Sequence, residues 1–162
     1  KETILTNTGM MPNTLVLGYQ VYRQLRNHPD LVDRIKYGGI TAPGGRAAMV
    51  TTEIMAQLFD VERVLVARAV KATNKEGATG VYAFTHGKNA LLCYSAPAPA
   101  LMTPSAGYIF AWRGVSGPLG TTIGVSSFRM EHLKSDRVES EYAFDNKVIG
   151  SDLAYFFSGA VA

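Results

Sequence analysis

Cysteine is almost missing from this sequence: Cys93 stands alone in 162 residues. One thiol excludes an internal disulfide framework and any multi-cysteine zinc site. It lies in the apolar run Ala90 to Tyr94, where a small buried hydrophobe is expected rather than a catalytic thiol. Charge is also sparse, at 18% of residues against the usual quarter. No apolar run approaches the length of a membrane span, no signal peptide opens the chain, and no Asn-x-Ser/Thr acceptor occurs. The chain therefore reads as soluble and made in a reducing cytoplasm. His28, His86 and His132 sit on separate segments without the paired spacing of a zinc motif.

What is present is ordinary apolar content, 47% hydrophobic and 10% aromatic residues, which excludes a disordered chain. At 17.5 kDa the sequence fits one compact domain, residues 1–162, large enough to bury a core without metal or disulfide staples. The net charge of +3 tolerates a polyanion nearby but is too weak for a dedicated DNA reader. Few charges with normal apolar content suggest that part of the exterior is meant to be covered. The first residue is Lys1 rather than Met, and no element start is evident over residues 1–8, so the chain reads as a piece of a longer polypeptide.

Helices are expected early and strands late, which makes the fold class α+β. Thr14 to Leu17 reads as a short buried strand, followed from Gly18 by a helix over Tyr19 to Asn27 with Val21 and Leu25 on one face. Pro29 suits the first turn of a second helix carrying Leu31 and Ile35. A glycine-rich loop over residues 38–45 precedes a helix capped by Thr51 or Thr52, with Ile54, Met55, Leu58 and Phe59 as its buried stripe. Val61 to Val70 reads as one strand, buried on both faces in its middle. Beyond residue 80 the period becomes two, with strands over Val81–Phe84, Ala90–Ser95, Tyr108–Trp112 and residues 122–130. A flexible loop is expected over residues 114–120. The longest alternation runs from Arg137 to Ile149. Its even positions, including Val138, Tyr142, Phe144 and Val148, are mostly apolar. The odd positions Arg137, Glu139, Glu141, Asp145 and Lys147 are charged. One face should be packed and the other should meet water or a partner. Asp152 to Val161 closes the chain as a strand or a short helix.

No catalytic constellation survives its own requirements. Gly80 lies too far ahead of Gly87-Lys88 for a P-loop, and Asn89 stands where magnesium would need a hydroxyl. The glycines of residues 38–45 do not form a dinucleotide fingerprint. Ser116 and Ser126 lack the glycines of a nucleophile elbow. Glu139 and Glu141 share a strand face and could serve as an acid–base pair, but interleaved with Arg137 and Lys147 they fit a solvated or interface face. The cluster Glu131, His132, Lys134, Asp136 and Arg137, just before the long strand, mixes both signs, which suggests self-complementary contact between copies. Arg129, Glu131, Lys134, Asp136, Arg137, Glu139 and Glu141 form the candidate contact set between identical copies. No cofactor, metal or catalytic residue is expected. Tyr19, Tyr22, Tyr108, Phe110 and Trp112 lack the interleaved basic residues of a stacking platform for single strands.

Three stretches, in order and spacing, resemble the major capsid protein of tailed bacteriophages. The first is Pro12-Asn13-Thr14-Leu15-Val16-Leu17-Gly18, continued by Val21 to Leu25 and by His28 to Tyr37. The second is Leu58-Phe59-Asp60-Val61-Glu62-Arg63-Val64-Leu65-Val66. The third runs from Phe128 through Arg137 to Glu139 and leads to Asp152-Leu153-Ala154-Tyr155-Phe156-Phe157. The resemblance implies the carboxyl-terminal portion of such a subunit, without the amino-terminal arm, extended loop and spine helix that precede it in the family. Approximately residues 14–125 would be axial-lobe-like, and 126–162 would be return strands of the peripheral lobe. It implies a structural subunit of a phage or prophage icosahedral head that self-associates into capsomers enclosing double-stranded DNA. The implied partners are identical subunits in pentamers and hexamers, packaged DNA held non-specifically, and scaffold or portal proteins. The virion capsid would be its location after synthesis in the host cytoplasm, and no enzyme activity is implied. A shell protein of an encapsulin-type nanocompartment and a small-ligand-binding α+β domain are the alternatives.

Overall fold

A run of apolar residues ending in glycine starts the core. Thr14–Gly18 (β1) is buried along nearly its whole length in the computed structural model, which describes residues 1–37, 50–112 and 123–161. Ahead of it lies helix α1 (Glu2–Thr8), and after it follow α2 (Tyr19–Arg26), α3 (Pro29–Tyr37) and α4 (Thr52–Phe59). The strands are β2 (Arg63–Ala67), β3 (Val70–Ala72), β4 (Tyr82–Phe84), β5 (Ala90–Cys93) and β6 (Gly107–Ala111). They continue as β7 (Ile123–Met130), β8 (Ser135–Tyr142), β9 (Phe144–Val148) and β10 (Ala154–Phe157). The architecture is mixed helix and sheet, as expected of an α+β chain.

One four-stranded sheet, in the order β10-β5-β1-β2, carries the core. β1 pairs parallel with β2 and antiparallel with β5, which in turn pairs antiparallel with β10. Leu15, Leu17, Val64, Ala90 and Leu92 from this sheet pack with Val21 of α2, Ile35 of α3 and Met55 of α4. Ile4 of α1 joins them at 2% exposure. The helix over Glu2–Thr8 departs from the expectation of an unstructured start. Its single buried side chain shows that packing, rather than a strong cap, holds it.

Two local devices fix this layer. At Gly18 a Cβ would lie 1.8 Å from the carbonyl oxygen of His86, so only glycine admits the β4–β5 turn. There the Gly18 N–H donates to the Asn89 carbonyl at 2.8 Å, and the Gln20 N–H to that of Gly87 at 3.1 Å. At the other end of β1, buried Asn13 joins three strands. Its Nδ2 donates to the Ser95 carbonyl at 2.8 Å, while its Oδ1 accepts from the Ser95 N–H at 2.9 Å and from Thr14 Oγ1 at 3.0 Å. Its own carbonyl accepts from the backbone N–H groups of Glu62 and Arg63.

Helix α4 begins as its sequence suggests: Thr51 Oγ1 accepts from the Ile54 N–H at 3.4 Å. A backbone hydrogen bond of Glu53, aided by the Thr51 and Thr52 hydroxyls, holds the Glu53 carboxyl below its ordinary pKa. The buried stripe is centred on Met55 and Ala56, with Ile54 and Phe59 only partly buried against it.

Two strand expectations need correction. Val61–Val70 is not one strand buried on both faces. β2 ends at Ala67, lies at the sheet edge and leaves Leu65 half exposed, because among the described residues no strand pairs beyond it. The residues after it form a separate antiparallel ribbon, β3–β4, joined by the polar segment that Asn74 braces through its side chain. Likewise Arg137–Ile149 is interrupted at Ala143, and its two halves pair with different strands. The loops expected over residues 38–45 and 114–120 lie outside the described residues.

Asn13→Ala should lower stability by about 1–3 kcal/mol, because it leaves buried backbone partners of the amide unpaired; urea unfolding measures it. Cys93 is buried, and burial pushes its thiol above the ordinary value of 9.0, with Arg63 partly opposing. A raised folded-state pKa contributes stability that is present below that value and lost as pH rises through it. The urea midpoint should therefore fall on going from pH 8 to about pH 10, and Cys93→Ala should flatten that dependence. Folded protein should also resist iodoacetamide at neutral pH until denatured, as read by mass spectrometry.

Candidate subunit-contact surface

Beyond the four-stranded sheet, the described residues build two-stranded ribbons: β3–β4, β6–β9 and β7–β8. A two-stranded ribbon has too little apolar contact to bury either of its faces, and alone in water it is marginal. The β6–β9 ribbon is tied to the sheet through Tyr94, whose carbonyl accepts from the Ala106 N–H at 3.0 Å, and through buried Ser105. Gly107 is needed there, since a Cβ would sit 2.9 Å from the Lys147 carbonyl oxygen. The β7–β8 ribbon continues from it across Ala143, and Tyr142 and Phe144 stack at 5.6 Å over the join.

The register defines the faces of these ribbons. Ile109 lies opposite Asn146, Gly107 opposite Val148 and Ala111 opposite Phe144; in the next ribbon Val125 lies opposite Ser140 and Ser127 opposite Val138. Ile109, Val125, Val138, Tyr142, Phe144 and Val148 thus line one side of the strand run, each between 51% and 73% exposed. The alternation over Arg137–Ile149 was legible in the sequence. The expectation that its apolar face is packed is corrected: nothing among the described residues covers it.

The seven contact candidates all fall on the β7–β8 hairpin. Its turn, a short 3-10 segment over Glu131–Leu133, closes at Lys134, whose backbone is left-handed at φ 47°. Arg129 Nε donates to Glu131 at 3.2 Å and its Nη1 to Asp136 at 3.1 Å, directly across the strands. Arg137 pairs with Glu139 at 2.7 Å and lies over the Phe128 ring at 5.8 Å. Lys134 and Glu141 have no ion pair among the described residues. The seven are brought onto one element, but five of them are stitched to each other. The period-two pattern singles out Val138, Tyr142, Phe144 and Val148, but as a packed face rather than as contact candidates; the structure leaves them exposed.

Nothing gathers around the alternative chemistry. Glu139 and Glu141 stand on an open ribbon rather than in a cleft, and Lys88 sits in the turn between β4 and β5. Among the described residues no group of three or more His, Cys, Asp or Glu is placed to hold a metal. No helix among them is long and apolar enough to cross a membrane. A cavity of about 440 Å³ is lined by Leu15, Leu17, Val21, Phe59, Leu92 and Phe157, all apolar. The one cation at its rim, Lys1, is already paired with Asp60 at 3.0 Å.

Comparison with known proteins gives this surface its context. No protein-family profile matches the chain. The major capsid protein of Burkholderia phage BcepMu is 30% identical over 98% of this chain and 47% of its own length. The crystal structure of a phage-related protein from Bordetella bronchiseptica RB50 superposes with a TM-score of 0.79 at 26% identity, covering 99% of this chain and 48% of that one. The chain thus spans about half the length of each relative. Along nearly its whole length, then, this chain is a homologue of a phage major capsid protein.

Proposed function

We propose that the chain acts as part of a structural shell subunit of a phage or prophage head, with a role in assembly rather than catalysis. The observation that carries this reading is the unburied apolar side of the β6–β9 and β7–β8 ribbons, in a chain related to a capsid protein end to end. A subunit of a closed shell hides such faces against other protein, and heterologous contacts that close into rings account for sparse charge on its flanks. In this reading approximately residues 14–125 are axial-lobe-like and residues 126–162 are return strands of the peripheral lobe.

Arg129, Glu131, Lys134, Asp136, Arg137, Glu139 and Glu141 would face neighbouring copies of the subunit. Double-stranded DNA inside the shell would be held without sequence preference, which a net charge of +3 permits. Scaffold and portal proteins would be transient partners during assembly in the host cytoplasm, and the virion would be the final location. A nanocompartment shell is the less favoured reading, because both relatives are phage or phage-related proteins. A small-ligand domain is less favoured still, given an apolar cavity without convergent polar groups.

The test is to express the whole open reading frame that encodes this chain and examine the product by sedimentation velocity and electron microscopy. Ring-shaped capsomers or closed shells are expected. A product that stays monomeric at high concentration would overturn the reading.

A further inference from the structure

The ion pairs within the β7–β8 hairpin sort its charges. Arg129 is held by Glu131 and Asp136, and Arg137 by Glu139, so both arginines are already engaged within the hairpin. Lys134 and Glu141 remain, both exposed and both without an ion pair among the described residues. Their positions are complementary. Lys134 stands at the hairpin tip, where its left-handed backbone ends the turn. Glu141 stands near the hairpin base directly opposite Gly124, so the strand across from it offers no side chain.

The two cannot meet within one chain. Seven positions along an extended strand separate them by roughly 23 Å. A lysine without an ion pair at one end of the hairpin and a glutamate without one at the other match a contact in which the tip of one copy lies beside the base of the next. Such a head-to-tail contact is heterologous and closes into a ring when the rotation permits.

We infer that Lys134 of one copy pairs with Glu141 of a neighbouring copy, beside Gly124, and that this pair sets the register between adjacent hairpins. The inference rests on the shell-subunit reading. Opposite charges at such a contact fix register, whereas like charges brought together there oppose it.

Charge exchange tests it. Lys134→Glu and Glu141→Lys, each alone, should raise the concentration needed for assembly at least tenfold at low salt. The double variant, carrying both exchanges, should restore it to within about threefold of the parent, and added salt should narrow all the differences. Circular dichroism should be unchanged throughout, since both side chains lie on the surface. If the parent assembles and both single variants assemble equally well, the pairing is overturned while the shell reading stands. A double variant no better than either single one also overturns it. If the parent itself never assembles, the shell reading falls first and this pairing with it.

Discussion

A pair of strands cannot make an interior. That constraint governs everything this chain does outside its central sheet. In the sheet, β1 has a neighbour on each side and helices against one face, so Leu15 and Leu17 vanish from solvent. In the ribbons each strand has one neighbour and no cover among the described residues, and residues of the same apolar character stay exposed there. The difference is not one of sequence hydrophobicity but of how many layers the local topology supplies. Such surface persists in a native protein because it is meant to be covered.

The sheet, by contrast, is closed by specific local rules. Asn13 and Gly18 stand at opposite ends of β1 and act in opposite ways. Asn13 adds hydrogen bonds that tie the ends of β5 and β2 to β1, and Gly18 removes a side chain so that the β4–β5 turn can touch the backbone. Between them they position the strand at the middle of the sheet, which pairs with β2 and β5 and packs against α2. The ribbon system is then anchored to that frame at a narrow junction, through Ser105 and the Tyr94 carbonyl. A rigid frame with a narrow anchorage holds the ribbons in place without having to bury them.

These two regimes explain what the amino-acid pattern could reveal. The strand at Thr14, the helix capped by Thr51 and the buried Cys93 are decided by neighbours close in sequence or by burial, and periodicity reads both. The helix over Glu2–Thr8 was missed because it is held by distant packing at Ile4, which leaves little local trace. Val61–Val70 was misread because β-branched composition reports strand tendency, not whether a strand lies at an edge. The alternation of Arg137–Ile149 correctly distinguished two faces, but period two cannot say whether the apolar face is filled from the same chain. Composition had already hinted at the answer through its shortage of charge. The mixed-sign cluster was visible as a set, yet which carboxylate each arginine takes depends on cross-strand register, and that emerges only once the hairpin is formed.

Magnitudes then separate the two kinds of surface on the ribbons. An exposed ion pair contributes at most about 1 kcal/mol, and salt erodes it. A valine or phenylalanine moved from water into a packed contact contributes about 1.5–3 kcal/mol, and Ile109, Val125, Val138, Phe144 and Val148 all remain available for that. Cohesion must therefore come from the apolar side. Charges are too weak to hold a shell together but well suited to choosing among registers, because a ribbon's apolar side repeats every two residues and would accept several alignments almost equally. A tip cation and a base anion distinguish those alignments, whereas arginines already matched within the hairpin cannot.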